Sequence, residues 1–209
     1  MFVLGLTGSI GMGKSATAAM FRAAGVKVHD SDAAVHALYR GAAAPLIEAE
    51  FPGTVRGGSV DRQALAARVL GNAAAMARLE HIVHPLVRAD RLAFLAEARA
   101  AGEALVVVDI PLLYESGAEK EVDKVLLVTA SEDVQKARIA GRPGMTEAKL
   151  AAIMARQMPD RDKRARADFI IDTSGAIADT ERQVRELLRR LKAEIGDAGN
   201  RDRHGDDRA

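Results

Sequence analysis

Cysteine and tryptophan are both missing from the 209 residues. Without cysteine the chain can build no disulfide frame, no cysteine zinc site and no thiol nucleophile, a composition that suits a reducing compartment. Aromatic residues reach only 3%, too few for a surface that stacks on bases. Net charge is equally scarce: 30 Lys and Arg face 29 Asp and Glu, a formal +1 at pH 7. That balance gives no global attraction to nucleic acid or to an anionic membrane. The opening "MFVLGLTG" has no basic leader, and its apolar run is too short for a signal core or a membrane span. We therefore expect a cytoplasmic protein with neither nucleic acid nor membrane as partner. What is plentiful is ordinary, 48% hydrophobic beside 28% charged residues, in a length that suits one large domain or a core with small inserts.

Order along the chain says more. The run "FVLGL" at 2–6 is short, apolar and followed by glycines, as a buried parallel strand is, and a helix is expected over about 14–24, ending at Gly25. "VKVHD" at 26–30 completes a β-α-β unit. From 33 to 102 the pattern turns helical, with little that resembles a strand. Gly71 stops one helix, Asn72 caps the next, and His84-Pro85 is expected to interrupt it, because proline disfavours helical backbone in the residue before it. Aliphatic runs return at 104–111 and 123–130, each read as a strand buried on both faces. Ser131 and Thr146 cap two further helices, "DRDKRARAD" reads as a charged connector, and "FIID" at 169–172 is the last strand. In the closing helix Val184, Leu187, Leu188, Leu191 and Ile195 share one face, and 196–209 is expected to be a disordered tail. The whole reads as an α/β domain with a parallel sheet and a helical insert.

The chemistry concentrates in Gly8-Ser9-Ile10-Gly11-Met12-Gly13-Lys14-Ser15, which satisfies G-x-x-x-x-G-K-[ST] between a predicted strand and a predicted helix. Gly11 and Gly13 let the backbone turn tightly and approach a ligand, so that successive N–H groups can face phosphate oxygens. Lys14 supplies charge for the β- and γ-phosphates, Ser15 a hydroxyl for Mg²⁺, and the helix its positive end. No G-x-G-x-x-G occurs, which excludes the dinucleotide fingerprint. Kinases, GTPases and ATPase motors share such a loop, so the reaction has to be read elsewhere.

Asp30 and Asp32 follow the second strand, where parallel sheets bind ligands. Asp30 is best read as a helix N-cap, whereas Asp32 can take a proton from an attacking hydroxyl or help hold Mg²⁺. Asp109 closes "ALVVVD" as a carboxylate able to reach a metal or its waters. Neither D-x-x-G after it nor N-K-x-D anywhere is present, and no acidic residue follows Asp109 directly. These absences argue against a GTPase and an ATPase motor.

Together, "LTGSIGMGKS", "VHDSDAAVH", "LEHIVHPLV", "VVVDIPLLYESG" and "ADFIIDTSG" occur in the order and spacing of the dephospho-coenzyme A kinase family, and the chain resembles a bacterial member over about 1–195. The resemblance implies a P-loop NTPase three-layer fold with a parallel sheet, a core formed by 1–32 and 103–195, a small lid at about 138–162, and a helical acceptor-binding insert at 33–102. It implies transfer of the γ-phosphate of ATP, with Mg²⁺, to the ribose 3′-hydroxyl of dephospho-coenzyme A. Asp32 would be the catalytic base, with Lys14 and Arg142 serving the transferring phosphoryl group. Gly8, Gly11, Met12, Gly13, Lys14, Ser15 and Ala16 would bind the nucleotide, Ser15 and Asp109 the metal, and Asp32, His84 and Glu115 the acceptor. Arg138, Arg161 and Gln157 fall in the implied lid. His84 is equally readable as a packed or capping histidine, and Leu112 and Leu113 as core. Ala16 departs from the family, which usually has threonine there, so a weaker α-phosphate contact is expected. A monomer is expected, with an oligomer as the alternative. A kinase for another nucleoside or nucleotide, and a non-catalytic nucleotide switch, are the alternatives.

Overall fold

The computed structural model describes residues 1–204. Its elements, in chain order, are β1 (Phe2–Thr7), α1 (Lys14–Ala23), β2 (Lys27–Asp30), α2 (Ser31–Leu38), α3 (Ala43–Glu50), β3 (Val55–Arg56), β4 (Ser59–Val60), α4 (Arg62–Val69) and α5 (Ala73–Ala100). After these come β5 (Leu105–Asp109), a 3₁₀ turn (Ala118–Glu121), β6 (Lys124–Thr129), α6 (Glu132–Ala140), α7 (Glu147–Met154), α8 (Asp160–Arg166), β7 (Phe169–Asp172) and α9 (Ile177–His204). The chain divides into two compact units, one of Met1–His29 with the chain from Ala101 onward, the other Asp30–Ala100.

The first unit holds the five-stranded sheet, ordered β2-β5-β1-β6-β7. β1 runs parallel to both β5 and β6, and β6 parallel to β7. Every residue of β5 is buried, as an unbroken LVVVD run requires of a strand covered on both faces. Leu4, Leu6, Val107, Leu126 and Val128 of the sheet share one core with Phe21 of α1 and with Val184, Leu187, Leu188 and Leu191 of α9. The apolar stripe read from the α9 sequence is the face it buries.

The second unit is helical. α2, α3 and α4 all pack on α5, around Ile47, Phe51, Leu65, Val69, Leu79 and Val83. Its element boundaries follow side-chain caps: Asp61 accepts the N–H groups of Gln63 and Ala64, and Asn72 that of Ala75.

Four expectations need correction. α5 is not interrupted at His84-Pro85 but runs through it. Pro85 forfeits one backbone hydrogen bond, at a cost of about 3 kcal/mol in a helix interior, and the burial of Leu79, Val83 and Leu95 along the same helix outweighs it. The helical block also holds a hairpin, β3 with β4, turning on Gly57 and Gly58, both at positive φ; a Gly-Gly pair between Arg56 and Ser59, with a valine beyond each, is its sequence signal. "DRDKRARAD" is largely helix α8, and its Lys163 is fully buried. Finally, α9 does not end at Gly196 but continues to His204, since one glycine costs a helix only about 1 kcal/mol. The rest of the expected tail, 205–209, lies outside the described residues.

Candidate active site

β1 delivers the chain to the loop and α1 carries it away. Gly11 and Gly13 adopt φ of 81° and 87°, the left-handed region that side chains resist, and Gly13 is the N-cap of α1. Space is restricted as well. A Cβ on Gly8 would lie 2.6 Å from the carbonyl oxygen of Val128, and one on Gly13 2.9 Å from Thr173 Oγ1. The glycines are therefore required by the fold around the loop in addition to any ligand.

The outer side of the loop is fastened by side chains. Gln135 Nε2 donates to the Ile10 carbonyl at 2.7 Å, Arg138 Nη1 to that of Gly11 at 3.3 Å, and Thr173 Oγ1 to that of Met12 at 2.9 Å. Thr17 Oγ1 donates to the Gly13 carbonyl at 3.2 Å. Arg138 thus braces the phosphate loop, a role the lid assignment missed. Helical spacing after the Ser131 cap puts Gln135 and Arg138 on one face of α6, which was the available signal.

Lys14 Nζ lies 2.5 Å from Asp109 Oδ1, with the carboxylate only 2% exposed. The end of β5 and the start of α1 are joined by this ion pair, so two residues singled out separately in the sequence occupy one site. Ser15 is exposed at the beginning of α1. Its hydroxyl and the Asp109 carboxylate are hard oxygen donors, a set suited to Mg²⁺, which commonly takes one or two protein oxygens and completes its shell with phosphate and water. Ala16 is exposed and brings no hydroxyl.

Glu115 meets the expected lid. Its Oε1 accepts the Met158 N–H at 2.7 Å and pairs with the buried Lys163 ammonium at 2.9 Å. The neighbouring Gln157 accepts the Ile10 N–H at 3.1 Å. Residues 157 and 158 are accordingly tied to the phosphate loop and to the segment after β5. Arg142, just beyond α6, is exposed and forms no side-chain ion pair among the described residues. Arg161 points to its neighbour Asp162. Tyr114 packs under Arg166, whose guanidinium lies 4.4 Å from the ring centroid; burial pushes the Tyr114 hydroxyl pKa up.

In the helical unit Asp30 caps α2, accepting the Ala33 N–H at 3.0 Å. Asp32, in the first turn of α2, is exposed and lines a cleft of ≈ 260 Å³ with His36, Tyr39, Arg62 and the apolar Val35, Leu65 and Val69. Burial raises the Tyr39 pKa against the opposing charge of Arg62. His84 is exposed on α5 and does not line this cleft.

A family profile for dephospho-CoA kinase matches residues 2–179. The chain is 61% identical over 196 residues to a dephospho-CoA kinase of Mesorhizobium japonicum, covering 94% of this chain and 100% of the relative. It is 57% identical to one of Brucella melitensis, covering 90% and 94%. Among solved structures, a Thermus thermophilus protein superimposes with a TM-score of 0.76 at 38% identity, covering 91% of this chain and 97% of the other. A Campylobacter jejuni dephospho-CoA kinase, at TM-score 0.64 and 24% identity over 90% and 96%, shares the fold.

Proposed function

The chain belongs to the dephospho-CoA kinase family and phosphorylates dephospho-CoA with ATP in coenzyme A synthesis, and we propose that the hydroxyl it phosphorylates is the ribose 3′-hydroxyl. The observation that carries the donor side is the Gly8–Ser15 loop, held with Gly11 and Gly13 in left-handed conformation at the start of α1. Its free N–H groups and the helix N-terminus form a cradle for the triphosphate. Lys14 neutralises charge on the transferring phosphoryl group. Ser15 and Asp109 would hold Mg²⁺, which would supply positive charge to offset that of the phosphates. Arg142, exposed and uncommitted to an ion pair, adds a guanidinium from the lid at about 138–162.

The acceptor belongs to the helical block at 33–102, with His84 and Glu115 as further contacts. Asp32 takes the proton of the 3′-hydroxyl as its oxygen bonds to the γ-phosphorus and the bond to the bridging oxygen breaks, releasing ADP. Support comes from the exposed Asp32 carboxylate in a cleft that also holds Arg62 and Tyr39. The enzyme works as a cytoplasmic monomer; among the described residues no helix is long and apolar enough to cross a membrane.

A coupled ADP-release assay tests the reading. With Mg-ATP, dephospho-CoA is expected to stimulate turnover, and phosphate is expected on the 3′-oxygen by ³¹P and ¹H NMR of the product. The Asp32→Asn enzyme is expected to turn over about a hundredfold more slowly or worse, on the order of a general base's contribution, with ATP affinity kept. Normal turnover in that variant removes Asp32 as the base.

A further inference from the structure

A loop that binds phosphate through main-chain N–H groups has to keep its carbonyls turned away from the anion. Three successive carbonyls, of Ile10, Gly11 and Met12, are each engaged by a side chain from elsewhere in the unit. No peptide bond among the described residues is cis, so fixing the carbonyl of one residue turns the N–H of the next to the opposite side. The Met12 N–H is partly engaged by the Ser9 carbonyl at 3.2 Å. Those of Gly11 and Gly13 meet no protein acceptor among the described residues.

The three side chains are themselves organised. Gln135 and Thr173 are only 8% and 4% exposed, so their polar groups are built into the interior. Arg138 links the set: Nη1 reaches Thr173 Oγ1 at 2.8 Å and Nη2 the Thr173 carbonyl at 2.7 Å. Thr173 Oγ1 accepts from Arg138 and sends its one proton to Met12, the nearer of two carbonyls within reach. Its side chain also stands against Gly13. A planar fork of this kind cannot be reproduced by lysine.

We propose that Gln135, Arg138 and Thr173 are positioning residues for the phosphoryl donor, holding the peptide planes of the loop so that the Gly11 and Gly13 N–H groups face the triphosphate before it arrives. The proposal rests on the Gly8–Ser15 loop being the ATP site. Preorganisation of this kind lowers the ordering cost of binding, so its loss appears in the affinity for ATP and spares that for the acceptor.

Thr173→Val removes the hydroxyl at nearly constant volume, and Arg138→Met removes the fork while keeping an apolar stem. With ATP varied at saturating dephospho-CoA, the KM for ATP is expected to rise about tenfold or more in each variant, because each loses the hydrogen bond that its side chain gives a loop carbonyl and also its link to the other brace. The KM for dephospho-CoA is expected to stay within about twofold, and Thr173→Ser to restore the ATP value, because the hydroxyl and not the methyl carries the effect. If Arg138→Met does not fold, the Thr173→Val and Thr173→Ser pair decides. Calorimetric titration with ATP alone separates the two levels. No binding to the wild-type protein overturns the donor-site reading and the brace with it. Binding that Thr173→Val leaves unchanged overturns the brace only, as does an equal rise in both KM values.

Discussion

Lys14 and Asp109 show how a single ion pair sets the state of a site. With the carboxylate 2% exposed and the ammonium 2.5 Å away, the two opposite charges meet in a place where a lone charge is costly. Asp109→Asn leaves the lysine without its anionic partner and removes the carboxylate proposed above to hold Mg²⁺. Turnover is expected to slow by about a hundredfold or more, as for loss of a major electrostatic contact, and the Mg²⁺ requirement to rise, both read by titrating Mg²⁺ in the ADP-release assay. At this scale the loop motif was fully legible, because G-x-x-x-x-G-K-S is a contiguous pattern with one mechanical purpose. Gln135, Arg138 and Thr173 were not legible as its braces. Their partners are carbonyls 125 to 161 residues away, and carbonyls carry no sequence signature.

At the scale of elements, strands and caps followed directly from the sequence. β5 and β6 are aliphatic runs with no competing helical period, and Asp30, Asn72, Ser131 and Thr146 each cap the helix expected of them. Two of the failures, at Pro85 and at α8, share a cause, which is tertiary burial overriding a local signal. Pro85 is a helix breaker in isolation, yet it sits inside α5. Pro85→Ala restores the missing N–H and is expected to stabilise the protein by about 1–3 kcal/mol, measured as a higher urea midpoint. α8 shows the converse. Six of its seven residues are charged, which reads as a solvated connector, but Lys163 turns inward to Glu115. Breaking that pair with Glu115→Gln is expected to cost about 3–5 kcal/mol. Adding Lys163→Met to it is expected to recover much of the loss in a denaturation series, because no charge is then left buried.

Across the whole molecule, acid sensitivity follows from carboxylates held below their ordinary range. Asp172 is lowered by its hydrogen bonds from Ser174. For Asp168, burial acts upward but is outweighed by the Lys124 hydrogen bond and the backbone N–H groups. Glu48 is lowered chiefly by the Gly53 N–H, joined by those of Val55 and Thr54, and Asp61 chiefly by that of Ala64. Lowered pKa values mean that the unfolded chain binds protons first. Their stabilisation is therefore complete above the ordinary carboxylate range and is lost as pH falls through the folded values. The melting temperature is expected to hold above about pH 5 and to drop below about pH 4. Asp168→Asn is expected to make that drop shallower in a series of melts.

The helical unit leaves the sheet-bearing unit after His29 and rejoins it at Ala101, a single uninterrupted excursion between β2 and β5, which are neighbours in the sheet. Every residue of the phosphate loop and its braces is encoded outside that stretch. On the proposed reading, all the acceptor contacts except Glu115 are then carried by one contiguous segment of the gene, and replacement within it is expected to alter acceptor choice while the donor loop and its braces are inherited intact.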